Sequence, residues 1–520
     1  MTKRNGRIAI AAVAVLFFCK ALLLAFWVTP LWDVPDETGH FAYGRELMEK
    51  RAIPVLDQSV IDLDIMSHVR GKEVQEHRLN WIAQHPPVYY IGAGFAWKVA
   101  TYLTADPQWL FKSSRVMSAL AGALTLAVLY GLLVLATGDR LASLSVSVCV
   151  GCIPMFTHMS SGTNHDTTVT LFAALAVFFW IRFLREKQTR HAYLTAMWLS
   201  LACVTKMTAL LLVFPMLLFM AIELALPWRM RIAHMTGIAC TVCLLPGLWM
   251  LRTFHLHGDA FAVADGLAAA TGRLDVSLWD YLSKTEALDI FYVFFWGMFG
   301  FAGTYRDIIL LRIGGWPLTF YSWVSLVLVF LMALVLTRRF FKNEKTMTVS
   351  PDSGSPSLIA VWYGLIENRR FMMKAPWVLL VLAALLGVLA YQMIYSPAGA
   401  WVRLLFFSGS VFVACSAAMV LIKPLQSDER LVCYSILTTA FFMLVFVWTI
   451  HSYYLKFGYL WGVMGRYYFP LIPLMLTAVF LPLVRWLKIP SRVFVACAFL
   501  FVLAEMATLF GQVIPLWRNV

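Results

Sequence analysis

Charge is scarce in this chain. Asp, Glu, Lys and Arg make up 13% of its 520 residues, against about 25% in an ordinary soluble domain. With 61% hydrophobic residues, a water-soluble fold would expose too much apolar surface to stay dispersed. Strict apolar–polar alternation is missing too, which excludes a barrel of spanning strands. No stretch repeats with a period of about 20–50 residues, so solenoids and propellers are excluded. Nine cysteines are present, mostly inside apolar runs (Cys19, Cys149, Cys152, Cys240, Cys243 and Cys415). No C-x-x-C is joined by a His cluster, so neither a disulfide nor a zinc site is expected. What the chain does have is repeated apolar runs of about 20 residues, long enough to cross a ~30 Å hydrocarbon core as helices.

Acids are the scarcer sign, 28 against 42 Lys and Arg, for a formal net charge of +14. In a soluble protein that excess points to nucleic acid. Here the cations gather in short loops, as the positive-inside rule requires. Membrane lipids, not nucleic acid, are the expected surroundings. The basic N-terminus, residues 1–7, precedes an apolar stretch to about Val28. No small-x-small cleavage site follows it, so an uncleaved first span is expected.

The basic segments 1–7, 182–190, 228–231, 338–374, 423–430 and 485–492 set the orientation. The first span then runs outward, and residues 30–114 form a large external loop. If 85–104 crossed the membrane, the basic run 182–190 would fall outside. If it lies along the surface, every later loop obeys the charge rule. That reading leaves about 13 spans, with the N-terminus inside. After the first, they fall near 115–137, 141–160, 167–181, 191–205, 207–226, 232–252, 316–337, 376–395, 404–422, 431–450, 467–484 and 492–514. A second external region covers 253–315, and the cytoplasmic loop 338–375, with V-S-P-D-S-G-S-P-S, is expected to be flexible. The expectation is a single all-α polytopic membrane domain over 1–520.

Several polar motifs interrupt these runs. The external loop opens with W-D-V-P-D-E-T-G-H-F-A-Y-G-R-E-L. Pro35 suits the first turn of a helix, and Asp36 and Glu37 suit its positive end. Asp36 and His40 stand four apart and share a helix face. An acid at the membrane boundary can serve as general base for an incoming hydroxyl or amine. For any one of these acids a helix cap or a solvated face is the plainer reading; Asp33, Asp36, Glu37 and His40 together favour a site.

N-W-I-A-Q-H-P-P-V-Y-Y, with His85, reads either as an interfacial helix start or as part of the same site. S-G-T-N-H-D, with Asn164 and Asp166, ends two helices on the face that carries Asp36. Lys206, in V-T-K-M-T, either snorkels or serves an anion. Arg466, in G-R-Y-Y-F-P, and Arg115 are outward cations against the charge bias; with Lys206 they can jointly hold a lipid phosphate.

Together these motifs resemble the GT-C superfamily of membrane glycosyltransferases. Pro35-Asp36-Glu37-Thr38 and Arg45-Glu46-Leu47-Met48 look like the first loop of lipid A aminoarabinose transferases and their protein mannosyltransferase relatives. The P-D-E-x-x-H form, with His85-Pro86-Pro87, Asn164-x-Asp166 and Gly465-Arg466-Tyr467, looks closer still to a large bacterial family of GT-C-like membrane proteins.

The resemblance implies the GT-C fold with juxtamembrane helices in the first loop. It also implies a sugar donor carried on polyprenyl phosphate and a glycan, lipid or protein acceptor, joined with inversion at a bacterial inner membrane, the site facing the periplasm. By position Asp36 is the base, and Glu37 and Asp166 assist. Lys206, Arg466 and Arg115 bind phosphate, with Asp33, His40, His85 and Asn164 in support.

Relatives with monophosphate donors usually need no metal, so no cofactor is expected, although the acids would suit a divalent ion. Two other classes compete. A lipid-linked glycan transporter or flippase would show an internal repeat and charges deep in its spans; Glu223 and Glu505 are the candidates. A glycan polymerase or ligase with a diphosphate-linked donor would draw on Arg252, Arg273, Arg306 and Arg312.

Overall fold

Backbone in hydrocarbon has no water to bond, so the apolar runs must close into helices. The computed structural model describes residues 1–68, 77–261, 274–285, 426–458 and 464–515, with scattered positions between 287 and 327 and at 460. The chain divides into one unit of residues 1–335 with 434–520 and a second of 336–433. Among the described residues, seven helices are long and apolar enough to cross a membrane, or eight if one bent pair counts as a span. The protein is a multi-pass, all-α membrane protein. The spans expected near 376–395 and 404–422 and the loop 338–375 lie outside the described residues. So do most of 253–315 and 316–337, apart from 253–261, 274–285 with its short helix Leu278–Lys284, scattered single positions and a short strand pair, Ile309–Ile313 with Trp316–Thr319.

The first span, α1 (Lys3–Leu23), ends in a wider turn, Leu24–Val28. Two loop helices follow, α2 (Glu37–Lys50) and α3 (Val88–Ala100), and pack together. They cross where Gly44 meets Gly94; a Cβ on Gly94 would run into the Gly44 carbonyl. The 13 residues of α3 rise about 20 Å at 1.5 Å each, too little for a ~30 Å core. Ile91, Phe95 and Val99 are exposed along one face, and Tyr89, Tyr90, Ala93 and Trp97 are buried along the other. α3 thus packs its buried face against α2 and falls short of the length of a span. Trp27 and Trp109 meet edge to face at 5.7 Å, a pairing suited to the membrane interface.

Next come α4 (Arg115–Thr137) and a broken span. The expected helix over 141–160 is instead α5 (Arg140–Gly151) and α6 (Pro154–Ser160), bent by 69°. Pro154 has no N–H to continue the ladder. The Gly151 carbonyl freed by the break accepts from Lys20 Nζ at 2.8 Å, which also pairs with Glu505 at 2.7 Å. Glu505 is therefore bound up in holding the break.

Beyond α7 (Asp166–Glu186), the expected spans over 191–205 and 207–226 come out short. α8 (Thr189–Cys203) has 15 residues and α9 (Leu210–Glu223) has 14, and the backbone between them is extended at Lys206 (φ −152°, ψ 119°). Each rises about 20 Å. Lys206 thus sits buried at the joint tip of two short helices, and the snorkelling alternative fails. Glu223 closes α9 paired with Lys187 and accepting from the Tyr434 hydroxyl at 2.7 Å. Both deep acids weighed for transport are thus ion-paired. The remaining described spans are α10 (Trp228–His257), α11 (Ser427–Phe457), α12 (Ile472–Arg485) and α13 (Ser491–Thr508). A 3-10 stretch, Gly465–Leu471, leads into α12 and carries Arg466.

Candidate active site

The P-D-E motif splits at a single backbone angle. Asp36 takes a left-handed conformation (φ 64°) before α2 begins at Glu37, so Pro35 lies in the preceding turn and not in the helix. Asp is among the few residues that tolerate this conformation, which costs about 1–2 kcal/mol. It turns the Asp36 carboxylate out of the helix end, where it makes no capping bond. The capping alternative therefore fails. Asp36 Oδ1 accepts from Trp81 Nε1 at 3.3 Å, and Oδ2 from Arg466 Nη2 at 3.3 Å.

Glu37 points the other way, into a closed clamp. Arg115 donates to both its carboxylate oxygens at 2.7 Å from Nε and Nη2. The backbone N–H groups of Thr163 and Trp32 add bonds of 2.8 and 3.1 Å. The other three guanidinium protons go to the carbonyls of Ala25, Thr29 and Pro30, at 2.5, 3.0 and 2.8 Å. All five donors of Arg115 are used, and its side chain is 0% exposed. Its placement departs from the expected phosphate ligand: no donor is left to offer. Glu37 likewise ties α1, α4 and the turn before α7 together and does not face the other site acid.

The remaining charged residues converge. Lys206 Nζ donates to Asp166 Oδ1 at 2.5 Å, and Arg466 Nε lies 3.3 Å from Asp166 Oδ2. Arg466 thus bridges Asp166 and Asp36. The Tyr467 ring lies 3.7 Å beneath Lys206 Nζ and 5.4 Å from the Arg466 guanidinium, so its π face backs both cations. Two acids and two cations balance. Asp36 is the accessible member, 29% exposed, against 2% for Asp166, 7% for Lys206 and 1% for Arg466.

Of the supporting residues, Asn164 Oδ1 accepts from the Asp166 backbone N–H at 2.7 Å and so shapes the entry to α7. Asp33 stands half-buried in the turn before Asp36. His40 turns away from Asp36 to Tyr90, its Nδ1 lying 2.9 Å from the hydroxyl. The same hydroxyl lies 3.1 Å from His165 Nδ1. His85 packs on His165 with ring centroids 4.6 Å apart. Burial and the nearby Lys206 charge push His85 down to about 3, and burial, then neighbouring positive groups, also lowers His40 and His165. All three rings are neutral at ordinary pH. Among the described residues, no three His, Cys, Asp or Glu side chains are grouped to hold a metal.

Tyr90, Trp81, His165 and Tyr467 do not stand out in the sequence as site residues. Each lies inside a motif quoted above, but an aromatic at a span end reads first as an interface anchor.

Residues 84–250 match the protein family described as dolichyl-phosphate-mannose-protein mannosyltransferase. The match takes in His85, Arg115, Asp166 and Lys206. No curated protein matches the chain. Among solved structures, ArnT from Cupriavidus metallidurans is similar in two crystal structures, one bound to undecaprenyl phosphate and one in the apo state. Both are 13% identical, with TM-scores of 0.37 and 0.35, covering 92% and 91% of this chain and 78% and 77% of theirs. Scores that low carry no argument about this chain. The match covers about a third of the chain and includes His85-Pro86-Pro87 and Asn164-x-Asp166, two of the motifs that resemble the GT-C superfamily.

Proposed function

We propose that this chain transfers a sugar from a polyprenyl phosphate to a glycan, lipid or protein acceptor, on the extracytoplasmic face of a bacterial inner membrane. The observation that carries the reading is the pair of buried cations, Lys206 and Arg466, held around Asp166 beside the more exposed Asp36. The acceptor hydroxyl gives its proton to Asp36 as its oxygen attacks the anomeric carbon. The bond from that carbon to the phosphate oxygen breaks, and the electron pair leaves with the lipid phosphate. Lys206 and Arg466 take up the developing charge. One base and a leaving group on the opposite side give inversion.

The phosphate must draw Arg466 from Asp36. That contact, at 3.3 Å, is long for a charge-assisted bond, which is ordinarily about 2.7–2.9 Å. Seating the donor phosphate would therefore free Asp36 to act as a base. No metal enters these steps.

The test is to incubate purified protein with a panel of polyprenyl-phosphate sugars and measure thermal stabilisation and transfer. Stabilisation by a monophosphate carrier is expected. Stabilisation by diphosphate-linked glycans alone would replace this reading with that of a polymerase or ligase.

A further inference from the structure

Proton transfer to Asp36 and departure of the phosphate make no use of three buried rings, those of His40, Tyr90 and His165. Tyr90 is 0% exposed, His40 1% and His165 3%. Tyr43 stacks on Tyr90 at 3.8 Å and closes off the hydroxyl from that side. One hydroxyl therefore faces two imidazole nitrogens, His40 Nδ1 at 2.9 Å and His165 Nδ1 at 3.1 Å.

A hydroxyl has one proton, and a neutral imidazole carries one N–H. One ring must donate to the Tyr90 oxygen and the other must accept the Tyr90 proton, so the two rings hold opposite tautomers. The far nitrogen of His165 decides the direction. His165 Nε2 is buried, makes no hydrogen bond among the described residues, and lies 3.6 Å from Asp166 Oδ1. If Nε2 were bare, its lone pair would face the carboxylate with no proton between them. If it carries the proton, it offers Asp166 a polarised N–H beside the Lys206 ammonium.

We propose that His40 Nδ1–H, the Tyr90 hydroxyl and His165 form a one-way hydrogen-bond relay that holds His165 as its Nε2–H tautomer, making Tyr90 and His165 positioning residues for Asp166. Asp166 then has donors on three sides: Lys206, Arg466 and His165. The carboxylate between the two phosphate-binding cations is kept in place when one of them swings to a ligand. The importance for Asp166 rests on the proposed phosphate site; the tautomers do not.

The experiment uses the full chain in lipid nanodiscs, labelled with 15N-histidine, and reads tautomers from the ring nitrogen shifts. His40→Gln and His165→Gln identify the two signals by their loss. His40 as Nδ1–H and His165 as Nε2–H are expected, and the fixed His165 tautomer should be lost in Tyr90→Phe. The same tautomer on both rings, the reverse pair, or a His165 signal that Tyr90→Phe leaves unchanged would overturn the relay. If Tyr90→Phe does not fold, the wild-type pair alone decides. Undecaprenyl phosphate is then titrated into the same samples. Several-fold weaker binding by Tyr90→Phe than by wild type supports the positioning role, and equal binding overturns it. If the lipid binds neither, the phosphate reading fails and the positioning role falls with it, while the tautomer result still stands on its own.

Discussion

Asp36 and Glu37 are adjacent in sequence and opposite in circumstance. Glu37 has four donors, a fully engaged guanidinium and 1% exposure. Asp36 has two contacts, both of 3.3 Å, and 29% exposure. Glu37 belongs to the frame, and the proposed chemistry falls to Asp36. An acid saturated with short bonds cannot take a proton from a substrate without dismantling its partners; an acid held loosely at a mouth can. The same contrast separates the cations. Arg115 spends five donors on the chain itself, whereas Arg466 Nε and Asp166 Oδ2 lie within ion-pair range without a well-formed bond.

The largest effect expected from breaking this contrast is on the frame. Arg115→Ala leaves Glu37 as a buried charge without its partner, which costs about 3–5 kcal/mol. Expression and melting temperature should fall sharply, and the lipid donor should not rescue them. If Arg115 were a phosphate ligand, the variant would instead fold normally and bind the lipid poorly.

A smaller effect is expected at the open cluster. Lys206→Ala removes one charge-assisted contact to the proposed lipid phosphate, worth about 1.5–3 kcal/mol. Undecaprenyl phosphate should bind roughly 10- to 100-fold more weakly, as isothermal titration or native mass spectrometry would read it. An unchanged affinity would remove Lys206 from the site.

A further effect, shared among three groups, concerns pH. His40, His85 and His165 are all held below their ordinary value by burial. The unfolded chain then binds more protons than the folded one as pH falls from about 6.5 towards 3, so stability declines on acidification. The slope is at most about 1.4 kcal/mol per pH unit for each group. The melting temperature should drop between pH 6.5 and 5, and His40→Asn should make the drop shallower.

Much of this was legible in the chain and some was not. Apolar length alone located most of the described spans. It did not register the break at Pro154, nor the extended backbone that cuts two helices short at Lys206, because hydropathy averages over single residues. The cluster of Asp36, Asp166, Lys206 and Arg466 was legible because each interrupts an apolar run at the same end of the bundle. The split between Asp36 and Glu37 was not, since it turns on one positive φ. The place of Arg115 was not either: a cation at a span end looks the same from the sequence whether its donors meet a ligand or three backbone carbonyls. Tyr90 and His165 were hidden by their company, an aromatic among interfacial aromatics and a histidine beside a more conspicuous acid.

The division of roles between neighbouring acids is tested most directly by comparing Asp36→Asn with Glu37→Gln. Sugar transfer and melting temperature would be measured on both, once a transferable polyprenyl-phosphate sugar is in hand. The account predicts that Asp36→Asn loses about 10²–10⁴-fold in transfer, the range for removing a general base, with an unchanged melting temperature and intact lipid binding. It predicts that Glu37→Gln is destabilised whether or not donor is present. Full transfer by Asp36→Asn, or a Glu37→Gln protein that is stable and inactive, would contradict it.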